Sequence, residues 1–288
     1  MKIRHERHPR WLKVPLPAGE NFNEVRKLVK DHNLHTVCQS AHCPNIGECW
    51  GHRTSTFMIL GDICTRNCRY CAVIHGSPSP LDSDEPRRVA DAVKILSLRY
   101  AVITSVTRDD VPDGGASIFA DTIREIRGQM PGCRIEVLIP DFAGSNDSLN
   151  TVLEAGPDVL NHNLETVPRL YPNVRPQANY HRSLKVLEQA KQAGFITKSG
   201  LMLGLGETNA DVIDVMRDLR AVDGDILTLG QYLQPSAEHA PIDRYVTPAD
   251  FDMLRQEGEA MGFQHVESGP LVRSSYHAAV CYNEIASR

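Results

Sequence analysis

Short apolar runs recur along the chain at 57–60, 101–104, 135–139, 159–161, 199–205 and 226–229. Each is bounded by polar residues or glycine, as a strand buried in a parallel sheet is. Helical stripes lie between them. Val89, Ala92, Val93 and Leu96 recur at i, i+3, i+4 and i+7, and Phe119, Ile123, Ile126 and Met130 repeat the pattern. Val212, Val215, Met216 and Leu219 follow a Thr208-x-x-Asp211 start signal. Thr247-Pro248 opens another helix carrying Phe251, Leu254 and Met261, and weaker patterns follow Asp147 and His181. Ahead of the first strand, Phe22, Val25, Leu28 and Val29 share one face of a helix beginning near Asn21.

Six strands alternating with helices predict right-handed β-α units and a parallel sheet. Such a sheet either stays open and doubly wound or curls into a barrel. Neither a GxGxxG after the first strand nor a P-loop is present. Six units over roughly 200 residues fit a partial (β/α)6 TIM-like barrel better than an eight-stranded one. The expected division is an N-terminal extension at 1–56, the barrel at 57–262 and a C-terminal extension at 263–288.

Composition narrows the class. The chain has 288 residues, 41% hydrophobic and 23% charged, with a mean hydropathy of -0.30. It can bury a core, and neither a disordered chain nor a membrane protein is expected. No apolar run nears the roughly 20 residues of a spanning helix. The basic start MKIRHERHPRWLKVPLP has no apolar stretch behind it, so no secretory signal is read and a cytoplasmic location is expected. A net charge of -5 argues against nucleic acid as a partner.

Cysteine changes the picture. Six of the eight fall between Cys38 and Cys71, while Cys133 and Cys281 stand alone and read as ordinary. In a reduced compartment such a group reads as metal-binding. Cys64-Thr-Arg-Asn-Cys68-Arg-Tyr-Cys71 follows the first strand, on the loop where barrel active sites are built. Its three thiolates suit three corners of a cuboidal iron–sulfur cluster and leave the fourth iron open. Zinc wants four ligands and fits this triplet poorly. Cys38-x4-Cys43-x5-Cys49 is a second triplet, either another cluster short of one ligand or a zinc knuckle borrowing His35, His42 or His52.

The C-x3-C-x2-C motif, its place after the first strand and Tyr70 before its last cysteine resemble the radical S-adenosylmethionine (SAM) superfamily. The two triplets in this order resemble the lipoyl synthase family. Further blocks agree over roughly residues 9–280, among them Cys43-Pro-Asn-Ile-Gly-Glu-Cys49-Trp50, Asn161-His-Asn-Leu-Glu-Thr166 and Arg273-Ser-Ser-Tyr276. Biotin synthases and methylthiotransferases lack this combination. A zinc protein binding nucleic acid is disfavoured by the acidic charge and the barrel pattern.

The resemblance implies a reaction. Cys64, Cys68 and Cys71 would hold one 4Fe–4S cluster whose open iron takes the SAM amino and carboxylate groups, with Tyr70 beside the adenine. Cys38, Cys43, Cys49 and the oxygen of Ser275 would hold a second, auxiliary 4Fe–4S cluster. Two SAM are consumed, and the auxiliary cluster gives up sulfur to C6 and C8 of an octanoyl chain on a lysine of a lipoyl-domain or H-protein carrier. Ser105 and Thr107 at the end of the second strand are candidates for the SAM amino-acid end, Asn163 and Glu165 for its ribose or amino group, and Arg175 for its carboxylate. Met202, in Gly200-x-Met202-x-Gly204-x-x-Glu207, is a candidate on the adenine side. An electron donor such as flavodoxin or ferredoxin, and an iron–sulfur carrier for cluster rebuilding, are the implied partners.

Overall fold

All six apolar runs are strands. The structure, a computed structural model, describes residues 8–287. Its strands are β1 (His35–Thr36), β2 (Thr56–Ile59), β3 (Ile63–Cys64), β4 (Ile74–His75), β5 (Tyr100–Ser105), β6 (Arg134–Leu138), β7 (Val159–Asn161), β8 (Ile196–Leu203), β9 (Ile226–Gln231) and β10 (His265–Gly269). One sheet runs in the order β1-β2-β5-β6-β7-β8-β9-β10, and β3 pairs with β4 in a separate two-stranded sheet. Every neighbouring pair in the large sheet is parallel except β1 on β2. The parallel strands follow in chain order, the connectivity of a (β/α) barrel. Among the described residues its edges β1 and β10 are not paired with each other.

The strand count differs from the sequence reading by β10, a seventh parallel strand inside the expected C-terminal extension. Its sequence His-Val-Glu-Ser-Gly carries one buried apolar side chain, Val266, so no apolar run marks it.

Alternation along the strands divides them between two environments. Phe57, Ile59, Ala101, Ile103, Ile135 and Val137 pack outward with Val89, Val93, Phe119 and Ile123 of the helices Glu85–Ile95 and Ala116–Gln129. Leu201, Leu203, Leu227 and Leu229 do the same with the helices Asn209–Ala221 and Pro248–Ala260. Those last two helices start at complete capping boxes, Thr208 with Asp211 and Thr247 with Asp250. The helix Glu20–Asp31 sends Val25, Leu28 and Val29 into the first of these cores. The N-terminal segment is therefore fastened to the barrel by shared apolar burial.

The intervening residues point inward. Near the start of the strands, Lys198 Nζ meets Glu136 at 3.1 Å with both side chains wholly buried. Asn161 Nδ2 and Tyr100 OH each donate to the Glu136 carboxylate at 2.8 Å. The helix Ala278–Ala286 packs on β10 and β5 at this end, with the rings of Tyr282 and Tyr100 5.8 Å apart. No helix of the described residues is long and apolar enough to cross a membrane.

Candidate cluster and cofactor site

Cys64 ends β3, and its Sγ accepts the backbone N–H of Arg66 at 3.4 Å and of Thr107 at 3.3 Å. Thr65 donates its N–H and its hydroxyl to the Thr107 carbonyl, each at 3.0 Å. The loop from Cys64 to Cys71 is thus laced to the end of β5. Arg66 is buried and forks onto Asp109 at 2.7 and 2.8 Å while Nη2 also donates to Asp141 at 2.7 Å. Arg182 closes on the other Asp141 oxygen at 2.7 Å. Burial pushes the Asp141 carboxyl up, but Arg66 and Arg182 outweigh it and hold it at about 2. The far end of the loop is tied by Arg69, whose N–H donates to Val174 and whose carbonyl accepts from Ala240, and by His239 Nε2, which donates to the Cys71 carbonyl at 3.0 Å.

The second triplet is arranged by two short helices. Thr36 caps Val37–Ser40, which carries Cys38, and Cys49 lies in Ile46–Gly51. The C-terminal segment folds over them. Asn45 Nδ2 donates to the Leu271 carbonyl at 2.7 Å, and Tyr276 OH donates to the Glu48 carboxylate at 3.1 Å. Trp50 Nε1 and Ser55 Oγ are buried with no oxygen or nitrogen partner, and both lie beside Cys38.

Both regions open on one cavity of about 980 Å³. Cys38, Cys43 and Cys49 line it together with Ser274 and Ser275, so the N-terminal and C-terminal segments share its wall. Tyr70, Cys71, Ser105, Asn163, Glu165 and Met202 also line it. Cys64, Cys68, Thr107 and Arg175 are not on its wall. Thr107 is used through its backbone on Cys64 and Thr65. Arg175 is buried, with Nη1 donating to the carbonyls of Asn163 and Leu164 at 3.0 Å each. The irregular stretch after β7 has carbonyls without ladder partners, and Arg175 satisfies them. Glu165 sits in the left-handed region at φ 65°, held by N–H donation to Gly200 at 2.9 Å and by acceptance from Met202 at 2.8 Å. A strained backbone fixed this way commonly marks a ligand site.

The donor sets suit iron–sulfur clusters. Neither triplet gathers its three sulfurs within 4.8 Å of one another. One zinc would require that, since Zn–S bonds are about 2.3 Å long. Burial pushes the thiols of Cys38, Cys43 and Cys68 up, and those of Cys49 and Cys71 up to about 12. At neutral pH these cysteines become thiolates only when a cation compensates them. Trp50 and Ser55 are unused donors beside one such sulfur. Next to the first triplet, Asn163 Oδ1 and Ser105 Oγ are buried and unpartnered. A Cβ on Gly200 would come within 3.0 Å of Asn163 Oδ1 and 2.4 Å of Thr228 Oγ1. The space in front of Asn163 is kept clear, and its polar wall fits an amino-acid- and ribose-bearing ligand such as SAM. Burial and the neighbouring Glu165 carboxylate push the Tyr70 phenol up, so it stays protonated.

Comparison with known proteins decides the family. The radical SAM superfamily matches residues 58–219, and the N-terminal domain of lipoyl synthase of the radical SAM family matches residues 1–43. The lipoyl synthase of Roseiflexus sp. (strain RS-1) is 58% identical over 279 residues, covering 96% of this chain and 93% of that one. The chain belongs to the lipoyl synthase family. The lipoyl synthase of Rubrobacter xylanophilus is 59% identical over 277 residues, 96% of this chain and 86% of that one. Among solved structures, methylornithine synthase superposes with a TM-score of 0.51 at 15% identity, over 88% of this chain and 84% of that one. A maturase of the FeFe-hydrogenase does so at 0.55 and 14%, over 92% and 75%. These two likenesses concern the fold alone. As a lipoyl synthase family member the chain is a radical SAM enzyme, a sulfurtransferase, and uses SAM and two 4Fe–4S clusters.

The sequence reading assigned no role to Arg66, Asp141, Asn45, Glu48, Trp50, Ser55 or His239. Arg66, Asn45, Glu48 and Trp50 lie inside or beside the cysteine motifs, which was the available signal. Asp141 and His239 lie on later loops, and nothing local marks them.

Proposed function

We propose that the chain inserts two sulfur atoms, at C6 and C8, into an octanoyl chain held on a lysine of a lipoyl-domain or H-protein carrier, forming the lipoyl group. SAM bound at the cluster of Cys64, Cys68 and Cys71 supplies hydrogen abstraction from unactivated carbon, and the auxiliary cluster supplies the sulfur. The observation that carries the reading is the single cavity onto which the second triplet, Ser275, Cys71 and the polar wall around Asn163 all open. Its Met58, Val102 and Leu138 offer apolar surface for an eight-carbon chain.

The chain's own residues do the positioning. Ser105, Asn163, Glu165, Met202 and Tyr70 hold SAM, Tyr70 by its ring face. Thr107 acts through its N–H on the Cys64 sulfur, and Arg175 by fixing the backbone at Asn163 and Leu164. Ser275 completes the auxiliary set of Cys38, Cys43 and Cys49. A serine oxygen is a harder and weaker ligand for iron than thiolate, which suits a cluster that must come apart. In domain terms, residues 1–56 bring three auxiliary ligands, 57–262 form the radical SAM barrel and 263–288 close the auxiliary site. The octanoylated carrier, an electron donor such as flavodoxin or ferredoxin, and an iron–sulfur carrier that rebuilds the spent cluster are the partners, in the cytoplasm.

The test is direct. The reconstituted protein is incubated anaerobically with SAM, a reductant and an octanoyl-lysine peptide, and the peptide is weighed. Two added sulfurs are expected. Deoxyadenosine formed without any sulfur on the peptide sinks the assignment.

A further inference from the structure

Cys281 read as an ordinary cysteine in sequence, yet the fold brings it to two residues of β10. We propose that His265, Glu267 and Cys281 form a third metal site, for a single zinc ion, which fastens the helix Ala278–Ala286 to the edge of the sheet. One ligand atom from each of the three lies within 4.8 Å of the others. That is single-ion spacing, which neither cysteine triplet has.

The three side chains arrive from two elements. His265 and Glu267 are two apart on β10 and so share a face. Cys281 is fully buried on the helix that packs against that strand. His265 Nε2 lies 3.2 Å from Glu267 Oε2, while Nδ1 donates to Glu284 Oε2 at 2.8 Å. One ring nitrogen is thus oriented by a carboxylate and the other is aimed at the cluster, the arrangement in which metal-bound histidines are normally held. His277 Nδ1 stands 3.5 Å from the second Glu267 oxygen and steadies it. Without a metal, the contacts of His265 need a proton on each ring nitrogen. Zinc takes the place of the one on Nε2.

The donor set selects the ion. One imidazole, one carboxylate and one thiolate suit zinc, which binds all three in tetrahedral sites. Magnesium and calcium prefer oxygen and reject thiolate. The trio does not line the cavity, so the site is separate from both clusters. Its effect on them passes through the helix, which directly follows Arg273-Ser274-Ser275-Tyr276.

The test uses the holoprotein with both clusters in place, mixed with zinc sulfate and desalted, with zinc and iron measured together by mass spectrometry. About one zinc per chain beside about eight irons is expected, with a zinc-edge absorption spectrum showing one sulfur at about 2.3 Å and the remaining ligands nitrogen or oxygen. Cys281→Ser and His265→Gln should each lower bound zinc at least tenfold while iron stays unchanged, which also reports that the variants fold. Failure to bind zinc, zinc retained undiminished in both variants, or zinc gained at the expense of iron with three or more sulfur ligands would each overturn the proposal.

Discussion

The side-chain amide of Asn45 and the carbonyl of Leu271 are hydrogen-bonded at 2.7 Å across 226 positions of sequence. Asn45 is buried, so Asn45→Ala leaves the Leu271 carbonyl without a partner, at a cost of about 1–3 kcal/mol. The expected outcome is a lower urea midpoint together with loss of iron from the auxiliary cluster, while reductive SAM cleavage persists. Iron per chain and deoxyadenosine release check it.

The two triplets divide the chemistry. Cys68→Ala should abolish SAM cleavage. Cys43→Ala should leave cleavage largely intact and stop sulfur transfer. Loss of cleavage in a folded Cys43→Ala protein would show that the second triplet is needed for radical formation.

Ser275 separates two roles for the C-terminal segment. If its oxygen binds iron, Ser275→Ala weakens the auxiliary cluster and Ser275→Cys holds it too firmly to release sulfur. Iron content and the first-turnover sulfur yield distinguish these from a serine that only caps a turn, for which neither variant changes anything.

Inside the barrel, Lys198 is the only cation paired with Glu136 among the described residues. Lys198→Met strands a buried carboxylate and should cost about 3–5 kcal/mol. Adding Glu136→Gln to that variant should restore much of the loss, as read by thermal unfolding, because the neutral amide oxygen accepts from Asn161 while its NH2 donates to the Tyr100 hydroxyl oxygen.

Asp141 carries an acid-dependent part of the stability. Its carboxyl is held at about 2, against an ordinary value of 3.8. A depressed value means the contribution is full above about pH 4 and is lost as pH falls through about 2. At about 1.4 kcal/mol per unit the contribution is on the order of 2 kcal/mol. Asp141→Asn should be less stable than the parent by that much at pH 7, and the gap should close towards pH 2 in urea titrations of the cluster-free chain.

The fold was largely legible. Six apolar runs are strands because both faces of a parallel barrel strand are covered, leaving little room for polar interruption. β10 escaped because its inward face is charged and its outward face contributes Val266 alone. The cysteine motifs could be read because each triplet lies within a short stretch of sequence. Their supports could not. Arg66 reaches Asp141 across 75 positions, and His239 reaches Cys71 across 168. Such pairs exist only after the barrel has brought distant strand ends together. The same holds for Arg175, whose Nη1 donates to the carbonyls of Asn163 and Leu164 in a turn whose shape local sequence does not announce.

The joining of Asn45 to Leu271 and of Glu48 to Tyr276 also sets an order in time. A chain is made from its N-terminus, and its early part begins to fold before the rest exists. The loop bearing Cys64, Cys68 and Cys71 has all its described backbone ties once Ala240 has emerged. The site around Cys38, Cys43 and Cys49 was synthesised earlier, yet it gains its last wall only when residues 271–276 leave the ribosome. For most of translation those three thiols therefore wait on a half-built surface, and the first part of the auxiliary site to be made is among the last to be enclosed.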